Sequence, residues 1–250
     1  MPHIVQDKNI LSYIKKFSKA SIGDMCAEFK ISESTVRRSL SRLESAGYIS
    51  RYKGGAIAVV TDKTEYNYRL SVRREQKNFI ARKAAENIEE NAVVILLGGT
   101  TVSLMCSYLC GRKLTVITNS LPVVEQLKES PDITIVMLGG IYNREEREFY
   151  GNITTIGLRL MYADSLFMSC RGFSPGIGYM TDEIDSVDFY KLCMKNAGKT
   201  YMLADSSKSG RSEVAIVAAT GEIGCIITDS GISERDIAEF TAEGVEVILT

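Results

Sequence analysis

Short apolar runs that alternate with helix-length segments after residue 92 constrain the fold of this chain most strongly. Such alternation favours an α/β fold, with a mostly parallel sheet that helices cover on both faces. Seven runs of this kind predict seven strands: Val93–Leu97, Leu114–Thr118, Ile133–Leu138, Leu166–Met168, Thr200–Ala204, Cys225–Thr228 and Val245–Leu249.

Small polar residues and glycines follow several of these predicted strands. Ligands of parallel sheets bind beyond the carboxyl ends of the strands. The loop LLGGTTVS follows the first strand, and its glycines, backbone amides and hydroxyls suit a phosphate or carboxylate, although such turns often simply begin a helix. It is not a P-loop, because no GK[ST] follows. We predict an anion site at these loops, formed by Gly98, Gly99, Thr100, Thr101, Asn119, Ser120 and the cation Lys208.

Residues 32–55, SESTVRRSLSRLESAGYISRYKGG, predict a second kind of site. Ser32 is placed to cap a helix over 33–46 that Gly47 ends. Val36, Leu40 and Leu43 recur at helical spacing and must face a core. Predicted helices at 8–17 and 22–29 precede this one, and strands at 48–53 and 56–60 follow it. Together these elements predict a winged helix-turn-helix.

The third helix of that domain has a basic outer face. In helix-turn-helix proteins the second helix of the motif enters the major groove of DNA, where Arg contacts guanine or phosphate. The alternative is an ordinary solvated helix face. Residues 1–60 hold 10 Lys and Arg against 5 Asp and Glu, whereas residues 61–250 hold 20 against 26, which favours a polyanion as partner of the first part. The predicted DNA-binding residues are Ser34, Thr35, Arg37, Arg38 and Arg42 on the helix, and Arg51 and Lys53 on the wing.

Composition limits the other classes of function. No apolar run reaches the ~18 residues that span a bilayer, and the N-terminus lacks the apolar core of a secretory signal, so we expect a cytoplasmic protein without a membrane partner. Six cysteines form no CxxC pair, and the chain has one histidine. We therefore expect buried free thiols, no metal site and no cofactor.

The predicted domains are a DNA-binding domain at 1–60, a linker at 61–74 with a hinge at 61–64, and a larger domain at 75–250. One long helix is predicted over 65–88. The acids Asp182, Glu183, Asp185 and Asp188 suit either proton transfer or, more simply, the start of a helix. The run REER at 144–147 is expected to be an exposed charged loop.

Nearly the whole chain resembles the DeoR family of bacterial transcriptional repressors. The motifs are ISESTVRRSLSRLESAGYISRYKGGA, RREQKNFIARKAAENI, GGTT, TNS, GFSPGIGYMT, the DSSK loop and ITD. The resemblance implies a small winged helix-turn-helix followed by a Rossmann-like α/β sensor domain similar to sugar-phosphate isomerases and coenzyme A transferases. It also implies a phosphorylated sugar or related metabolite as effector, and a homodimer or homotetramer. Carried over to this chain, the resemblance adds Gly140 to the effector pocket.

This chain departs from the family pattern at three positions. Leu97 stands where the family usually has Asp, Ser39 where it has Asp after the Arg pair, and Arg171 where a small polar residue is common. Loss of the acid at position 97 leaves the class of ligand open, and Arg171 is expected to add a second cation to the pocket.

Two functions follow from the sequence. The first is a regulator, expected to be a repressor, that binds double-stranded operator DNA and senses an anionic metabolite. The second is an enzyme of the isomerase or acyl-transferase kind with an appended nucleic-acid module, which needs a carboxylate base near the anion site. The sequence offers no strong base, since Asp164 and Asp205 have simpler structural roles. The operator, the effector and the direction of its effect on DNA binding stay open.

Overall fold

The computed structural model describes residues 2–17, 19–45, 48–58 and 65–250. These form two compact units, residues 1–71 and 72–250. The predicted hinge at 61–64, the helix stop at Gly47 and the end of the second wing strand at 59–60 lie outside the described residues.

The first unit consists of helices packed on a small antiparallel sheet. Its strands lie in the order β1-β3-β2, so that β3 pairs with both neighbours. The elements are α1 (Pro2–Phe17), β1 (Lys19–Ser21), α2 (Ile22–Phe29), α3 (Glu33–Ser45), β2 (Ile49–Tyr52), β3 (Gly55–Ala58) and α4 (Glu65–Ser71).

Local sequence sets the ends and faces of these helices. Ser21 begins α2 with a capping box, in which its hydroxyl accepts from the amide of Asp24 and the Asp24 carboxylate accepts from the amide of Ser21. The predicted inner face of α3 is confirmed: Val36, Leu40 and Leu43 are at most 1% exposed and pack in one core with α1 and α2.

Two features of this unit differ from the sequence-based prediction. Strand β1 was not predicted, because three residues are too few to show alternation. The wing turns at Lys53–Gly54, one residue earlier than predicted, because Gly54 adopts the φ of +102° that the turn needs. The winged helix-turn-helix therefore has a three-stranded sheet.

The predicted single helix over 65–88 is wrong. The chain forms α4 to Ser71 and α5 over Arg74–Ala85, with a break at Arg73, whose φ is +51°. The left-handed conformation costs a non-glycine residue about 1–2 kcal/mol. Two ion pairs compensate, because the Arg73 guanidinium lies 3.3 Å from Asp205 Oδ1 and 3.0 Å from Asp229 Oδ2.

The second unit is built on a seven-stranded parallel sheet, so the predicted α/β class is confirmed. All seven predicted runs become its strands: β4 (Val93–Leu96), β5 (Leu114–Thr118), β6 (Ile133–Met137), β9 (Ala163–Met168), β12 (Ala197–Leu203), β14 (Cys225–Thr228) and β15 (Glu246–Leu249). Leu166, Met202 and Ile226 are fully buried in the core that the sheet shares with its helices.

The strand order, β15-β14-β12-β9-β4-β5-β6, reverses direction beside β4. After β4, strands β5 and β6 extend the sheet on one side of β4. The chain then crosses back, and β9 pairs with β4 on its other side. The loops after β4 and β9 therefore diverge from neighbouring strand ends. In open α/β sheets this switch point is where ligands bind.

The remaining elements surround this sheet. A hairpin of β7 (Ile141–Asn143) and β8 (Glu148–Tyr150) follows β6. A small antiparallel sheet consists of β10 (Gly172–Ser174), β11 (Gly178–Thr181) and β13 (Ala215–Ala218). The helices that the site uses are α6 (Thr100–Met105), α7 (Leu121–Leu127), α8 (Asn152–Leu158) and α9 (Val187–Lys195). Within the described residues, no helix has the length and apolar character needed to cross a membrane.

Candidate functional site

The loop that joins β4 to α6 lies at the switch point. Gly99 has a φ of +114°, and a Cβ there would come within 3.0 Å of the Ser169 Cβ, so glycine suits this position on both counts. Thr100 and Thr101 are buried, and the Thr101 hydroxyl lacks a hydrogen-bond partner within the described protein. A buried hydroxyl without a partner costs free energy unless a ligand or water satisfies it.

The loop after β5 reaches the same place. Thr118 Oγ1 donates to the Leu96 carbonyl at 2.6 Å and accepts from the Ser120 amide at 3.0 Å, which joins the ends of β4 and β5. Asn119 is 4% exposed, and its Nδ2 donates to the Phe149 carbonyl at 3.0 Å. Asn119 Oδ1 and Ser120 Oγ are buried without a partner in the described protein.

Lys208 approaches from the end of β12. Its Nζ donates to the Cys170 carbonyl at 2.6 Å and to Ser169 Oγ at 3.1 Å. Since Ser169 also abuts Gly99, the loops after β4, β9 and β12 converge around one serine. The neighbouring Asp205 accepts from the amide and hydroxyl of Ser207 and pairs with Arg73, which gives that acid a structural role.

Gly140 lies at the base of the β7–β8 hairpin. A Cβ there would come within 2.4 Å of both Thr154 Oγ1 and the Tyr150 carbonyl oxygen. Thr154 in turn donates to the Gly139 carbonyl at 2.8 Å. The absence of a side chain at Gly140 therefore lets the β7–β8 hairpin and α8 pack closely. Gly140 lies against the Tyr150 backbone and the Thr154 hydroxyl.

The hairpin brings an acid to the site that the sequence analysis missed. A Cβ on Gly98 would lie 1.6 Å from Glu148 Oε1, so the carboxylate occupies the space of a side chain at position 98. The amide of Phe149 donates to the Asn119 carbonyl at 2.8 Å, and Asn119 Nδ2 lies 3.3 Å from Glu148 Oε2. The available signal was Gly98, since Gly99 alone suffices for the turn.

Arg171 does not offer the spare positive charge that was expected of it. Its guanidinium bonds Glu146 Oε1 at 2.6 Å and Asp182 Oδ1 at 2.8 Å, and lies 4.0 Å from Glu183 Oε1. Burial opposes its charge, but the three carboxylates outweigh burial and raise the pKa of Arg171. Burial and then the Glu146 charge raise the pKa of Glu183.

These contacts also correct two expectations about the acids. Asp182 and Glu183 precede α9 and serve Arg171, whereas only Asp188 lies in the first turn of that helix. In the run 144–147, Glu146 is a partner of Arg171, and Arg147 bonds Glu125 at 2.8 Å. Both stretches are therefore organised around ion pairs.

In the first unit, the outer face of α3 carries the predicted polar residues. Ser34, Arg37, Arg38 and Ser41 are exposed, and Thr35 is half-buried. The Ser32 hydroxyl lies 2.9 Å from Ser34 Oγ and 2.8 Å from Thr35 Oγ1, which orders the start of the helix. Arg37 pairs with Glu33 one turn away; both are exposed, so this pair is weak and leaves Arg37 available.

Arg42 has a structural contact that the sequence did not reveal. Its Nε and Nη2 donate to the two oxygens of Asp7 at 2.7 Å each, and Nη2 also donates to Ser39 Oγ at 3.0 Å. The Asp7 side chain is 2% exposed, so Arg42 neutralises a buried carboxylate and fastens α3 to α1. The hydrogen bonds that Arg42 donates to Asp7 raise the pKa of Arg42. Asp7 of α1 therefore places a carboxylate near Ser39, the position where the family pattern has Asp.

The wing carries the two remaining predicted residues. Arg51 Nη1 donates to Ser41 Oγ at 2.8 Å, which places its guanidinium beside α3, and its amide bonds Glu44. Lys53 is exposed at the turn between β2 and β3. Lys19 lies over the Tyr52 ring, 4.6 Å from the ring centre, and adds a cation that the sequence analysis did not select.

Within the described residues, no cluster of three or more His, Cys, Asp or Glu side chains is arranged to hold a metal ion. All six cysteines are free thiols. Burial raises the pKa of Cys106 to about 12 and that of Cys170 to about 11.

Comparison with known proteins gives the same division of the chain. The DeoR-like helix-turn-helix domain matches residues 7–62, and the DeoR C-terminal sensor domain matches residues 72–230. The "HTH-type transcriptional repressor GlcR" of Bacillus subtilis is 32% identical over 96% of this chain and 94% of its own length. The "Lactose phosphotransferase system repressor" of Streptococcus mutans is 32% identical over 89% and 90%.

Solved structures show a weaker likeness. Ribose 5-phosphate isomerase A from Methanocaldococcus jannaschii aligns with a TM-score of 0.40 and 16% identity, covering 54% of each chain.

Proposed function

The chain belongs to the DeoR family, and on this basis we propose that it is a transcriptional repressor whose hold on operator DNA is controlled by a phosphorylated sugar. The winged helix-turn-helix binds the DNA, and the strand-end loops of the second unit bind the effector. As a repressor it acts in the cytoplasm, where it meets its operator.

The convergence of three strand-end loops at the switch point is the observation that carries this proposal for the sensor. A phosphate suits the site because Lys208 supplies a cation and Thr100, Thr101 and Ser120 supply hydroxyls. The hydroxyls of Thr101 and Ser120 are buried without a hydrogen-bond partner among the described residues, and a ligand would satisfy them.

A thermal-shift screen of the full chain tests the sensor. We expect phosphorylated sugars to raise the melting temperature and the matching unphosphorylated sugars to have no effect. Lys208→Gln should abolish the shift, whereas Lys128→Gln, at an exposed lysine of α7's C-cap, should leave it intact. A full shift in the Lys208 variant would remove this lysine from the site.

The DNA-binding half rests on the exposed basic face of α3 and on the wing. We propose that Arg37 and Arg38 contact bases or phosphates, with Ser34 and Thr35 close to the groove and Arg51 and Lys53 on the adjacent backbone. Arg42 contributes mainly by holding α3 in place. Binding should weaken steeply with salt, because each neutralised phosphate releases counterions. Affinity that does not depend on salt would contradict this proposal.

An enzyme of the sugar-phosphate isomerase kind is the second candidate, and Glu148 is the observation that favours it. Its carboxylate lies at the loop where a base for proton abstraction would be needed. Incubation with pentose and hexose phosphates, followed by product analysis, separates the two functions. Turnover that Glu148→Gln abolishes would establish the enzyme, and its absence in an active DNA-binding preparation would favour the repressor.

We also propose that the chain acts as a homodimer or homotetramer through an apolar face on the hairpin and α8. Seven large side chains there are between 38% and 85% exposed: Ile141, Tyr142, Tyr150, Ile153, Ile156, Leu160 and Tyr162. Ile153 and Ile156 lie on the exposed side of α8, and Leu160 follows the end of that helix, so two copies of this face can pack against each other across a twofold axis.

Light scattering after gel filtration tests this face. Ile156→Lys should convert the oligomer to a smaller species. Val214→Lys, at a 69% exposed residue outside the face, is the matched control and should leave the mass unchanged. The opposite pattern would place the interface elsewhere.

A further inference from the structure

Arg73 lies at the joint between two helices. Helix α4 ends at Ser71 in the first unit, α5 begins at Arg74 in the second, and Arg73 between them has a φ of +51°. The local sequence does not explain the break, because residues 65–91 contain neither glycine nor proline and arginine is a good helix former. The left-handed conformation is also unfavourable for a residue with a Cβ. Contacts with distant parts of the chain must therefore hold Arg73 in this conformation.

Two loops at the carboxyl edge of the parallel sheet supply these contacts. Arg73 Nη2 donates to Asp229 Oδ2 at 3.0 Å and to Ser206 Oγ at 3.1 Å, and Arg73 Nε forms an ion pair with Asp205 Oδ1 at 3.3 Å. The Asp205 and Asp229 side chains are only 3% and 9% exposed, so each depends on the guanidinium as a counter-ion. We call the contacts of Arg73 with Asp205, Ser206 and Asp229 the clasp.

The clasp shares a short turn with Lys208. Asp205 is the N-cap of a single 3-10 turn, Ser206–Lys208. Its carboxylate accepts from the Ser207 amide at 3.2 Å, and its carbonyl accepts from the Lys208 amide at 3.0 Å. The Lys208 ammonium, at the other end of the turn, bonds to the loop after β9. A ligand that moves Lys208 therefore also moves the turn that holds Arg73.

The loop after β14 packs against the clasp from another side. The amide and hydroxyl of Ser206 donate to the Asp229 carboxylate at 2.6 and 2.8 Å. A Cβ at Gly231 would come within 2.4 Å of Ser206 Oγ and 2.9 Å of Asp229 Oδ2. Position 231 therefore has no room for a side chain unless Ser206 or Asp229 leaves its place in the clasp.

We propose that Arg73 is a positioning residue with two states, which are set by the turn that carries Lys208. While the clasp is closed, Arg73 stays left-handed and α4 and α5 remain separate helices. When the turn moves and the clasp opens, nothing offsets the left-handed conformation. Arg73 then becomes helical, and α4 and α5 join into the single helix that the local sequence favours.

This inference rests on the proposed function and gives it a physical step. An effector can control DNA binding only if it favours one conformation of the chain over another. The joint at Arg73 provides two such conformations, and it lies in the segment through which the sensor domain is covalently linked to the DNA-binding domain.

Hydrogen exchange on the full chain distinguishes the two states without any ligand. The amides of Arg74, Glu75 and Gln76 begin α5, where a helix offers them no carbonyl acceptor of its own. In a continuous helix they would donate to the carbonyls of residues 70–72. We expect their exchange to become slower by about tenfold or more when the helices join.

Three variants open the clasp and differ in the backbone that they allow. Arg73→Ala removes the guanidinium and favours the helix, so these amides should become protected. Arg73→Gly removes the same contacts, but glycine tolerates the left-handed conformation, so their protection should not rise. Gly231→Ala keeps Arg73 and displaces Ser206, and it should protect the amides as Arg73→Ala does. The matched controls, Arg74→Ala at an exposed arginine and Gly224→Ala, whose Cβ would meet nothing closer than 3.5 Å, should exchange like the native chain.

Two results would overturn the inference. Unchanged exchange in Arg73→Ala, or equal protection in Arg73→Ala and Arg73→Gly, would show that the backbone of Arg73 does not switch. Protection in Arg73→Ala together with native exchange in Gly231→Ala would show that the turn does not set the state of the joint.

Fluorescence anisotropy with the DNA upstream of the gene then tests the regulatory role. Arg73→Ala and Gly231→Ala should change the affinity in the same direction, by about fivefold or more, whereas the two controls should not. Native affinity in both clasp variants would remove the joint from the control of DNA binding. If the native chain binds no such DNA, the proposed function fails, while hydrogen exchange still decides whether Arg73 has two states.

Discussion

Replacing Arg42 with alanine should destabilise the first unit rather than remove one contact to DNA. Asp7 is buried, and its two oxygens accept from Arg42 at 2.7 Å each. Loss of one partner of a fully buried ion pair costs about 3–5 kcal/mol. Because the Arg42 side chain is 42% exposed, water screens part of the pair, and we expect about 2 kcal/mol.

Chemical unfolding of the full chain, followed by a probe in the first unit, measures this cost. A double-mutant cycle with Asp7→Asn isolates the pair. In the Asp7→Asn background, Arg42→Ala should cost well under 1 kcal/mol, since no buried charge is then left unpaired. DNA affinity measured where Arg42→Ala is still folded should fall equally for specific and random sequences.

Either of two results would refute this reasoning. Unchanged stability in Arg42→Ala would show that Asp7 does not need its partner. Unchanged stability together with a selective loss of operator binding would restore Arg42 to the DNA-contacting residues that the sequence predicted.

Three further predictions follow from the contacts of other residues. Arg37→Ala should weaken operator binding by ~1–3 kcal/mol if it reads a base, more than it weakens binding to random DNA, and Arg235→Ala, at an exposed arginine of the second unit, should change neither in a fluorescence-anisotropy titration. Burial alone would raise the pKa of Asp229, but hydrogen bonds from Ser206 and the Arg73 charge outweigh it and lower that pKa. The Asp229 carboxylate therefore contributes stability above its unfolded pKa of about 3.9, and this stability is lost as pH falls through its folded pKa. Asp229→Asn should lower the melting temperature at pH 7, and the difference in melting temperature between the variant and the native chain should shrink below about pH 4. At pH 8 a maleimide should label exposed Cys110 long before Cys106, Cys170 or Cys193, whose thiols are buried; prompt labelling of all six in the folded chain, seen by mass spectrometry, would contradict the packing.

The regular elements were predictable because their signals are local. Each strand of the parallel sheet contains a run of apolar residues, and the capping serine and inner face of helices such as α2 and α3 are set by neighbours within one turn. Strand β1 gave no such signal, because its three residues gain their order from pairing with β3. The predicted domain limits at 1–60, 61–74 and 75–250 stay predictions.

The remaining differences depend on residues distant in sequence. Arg73 breaks the helix for acids more than 130 residues away, and Arg42 pairs with an acid 35 residues earlier. The acid expected at position 97 is absent, and the carboxylate that reaches the loop comes instead from Glu148 on the hairpin. Pairings of this kind follow from the topology of the sheet, which spacing in the sequence does not reveal.

The most direct test of the central claim is the affinity of the full chain for the DNA upstream of its own gene, with and without a saturating phosphorylated sugar that binds it. Coupling between two sites in proteins commonly changes affinity by about 5–150-fold. We predict a change in this range for the native chain and none for Lys208→Gln. The same affinity with and without the sugar in the native chain, or an undiminished change in the variant, would contradict control of DNA binding through the strand-end site.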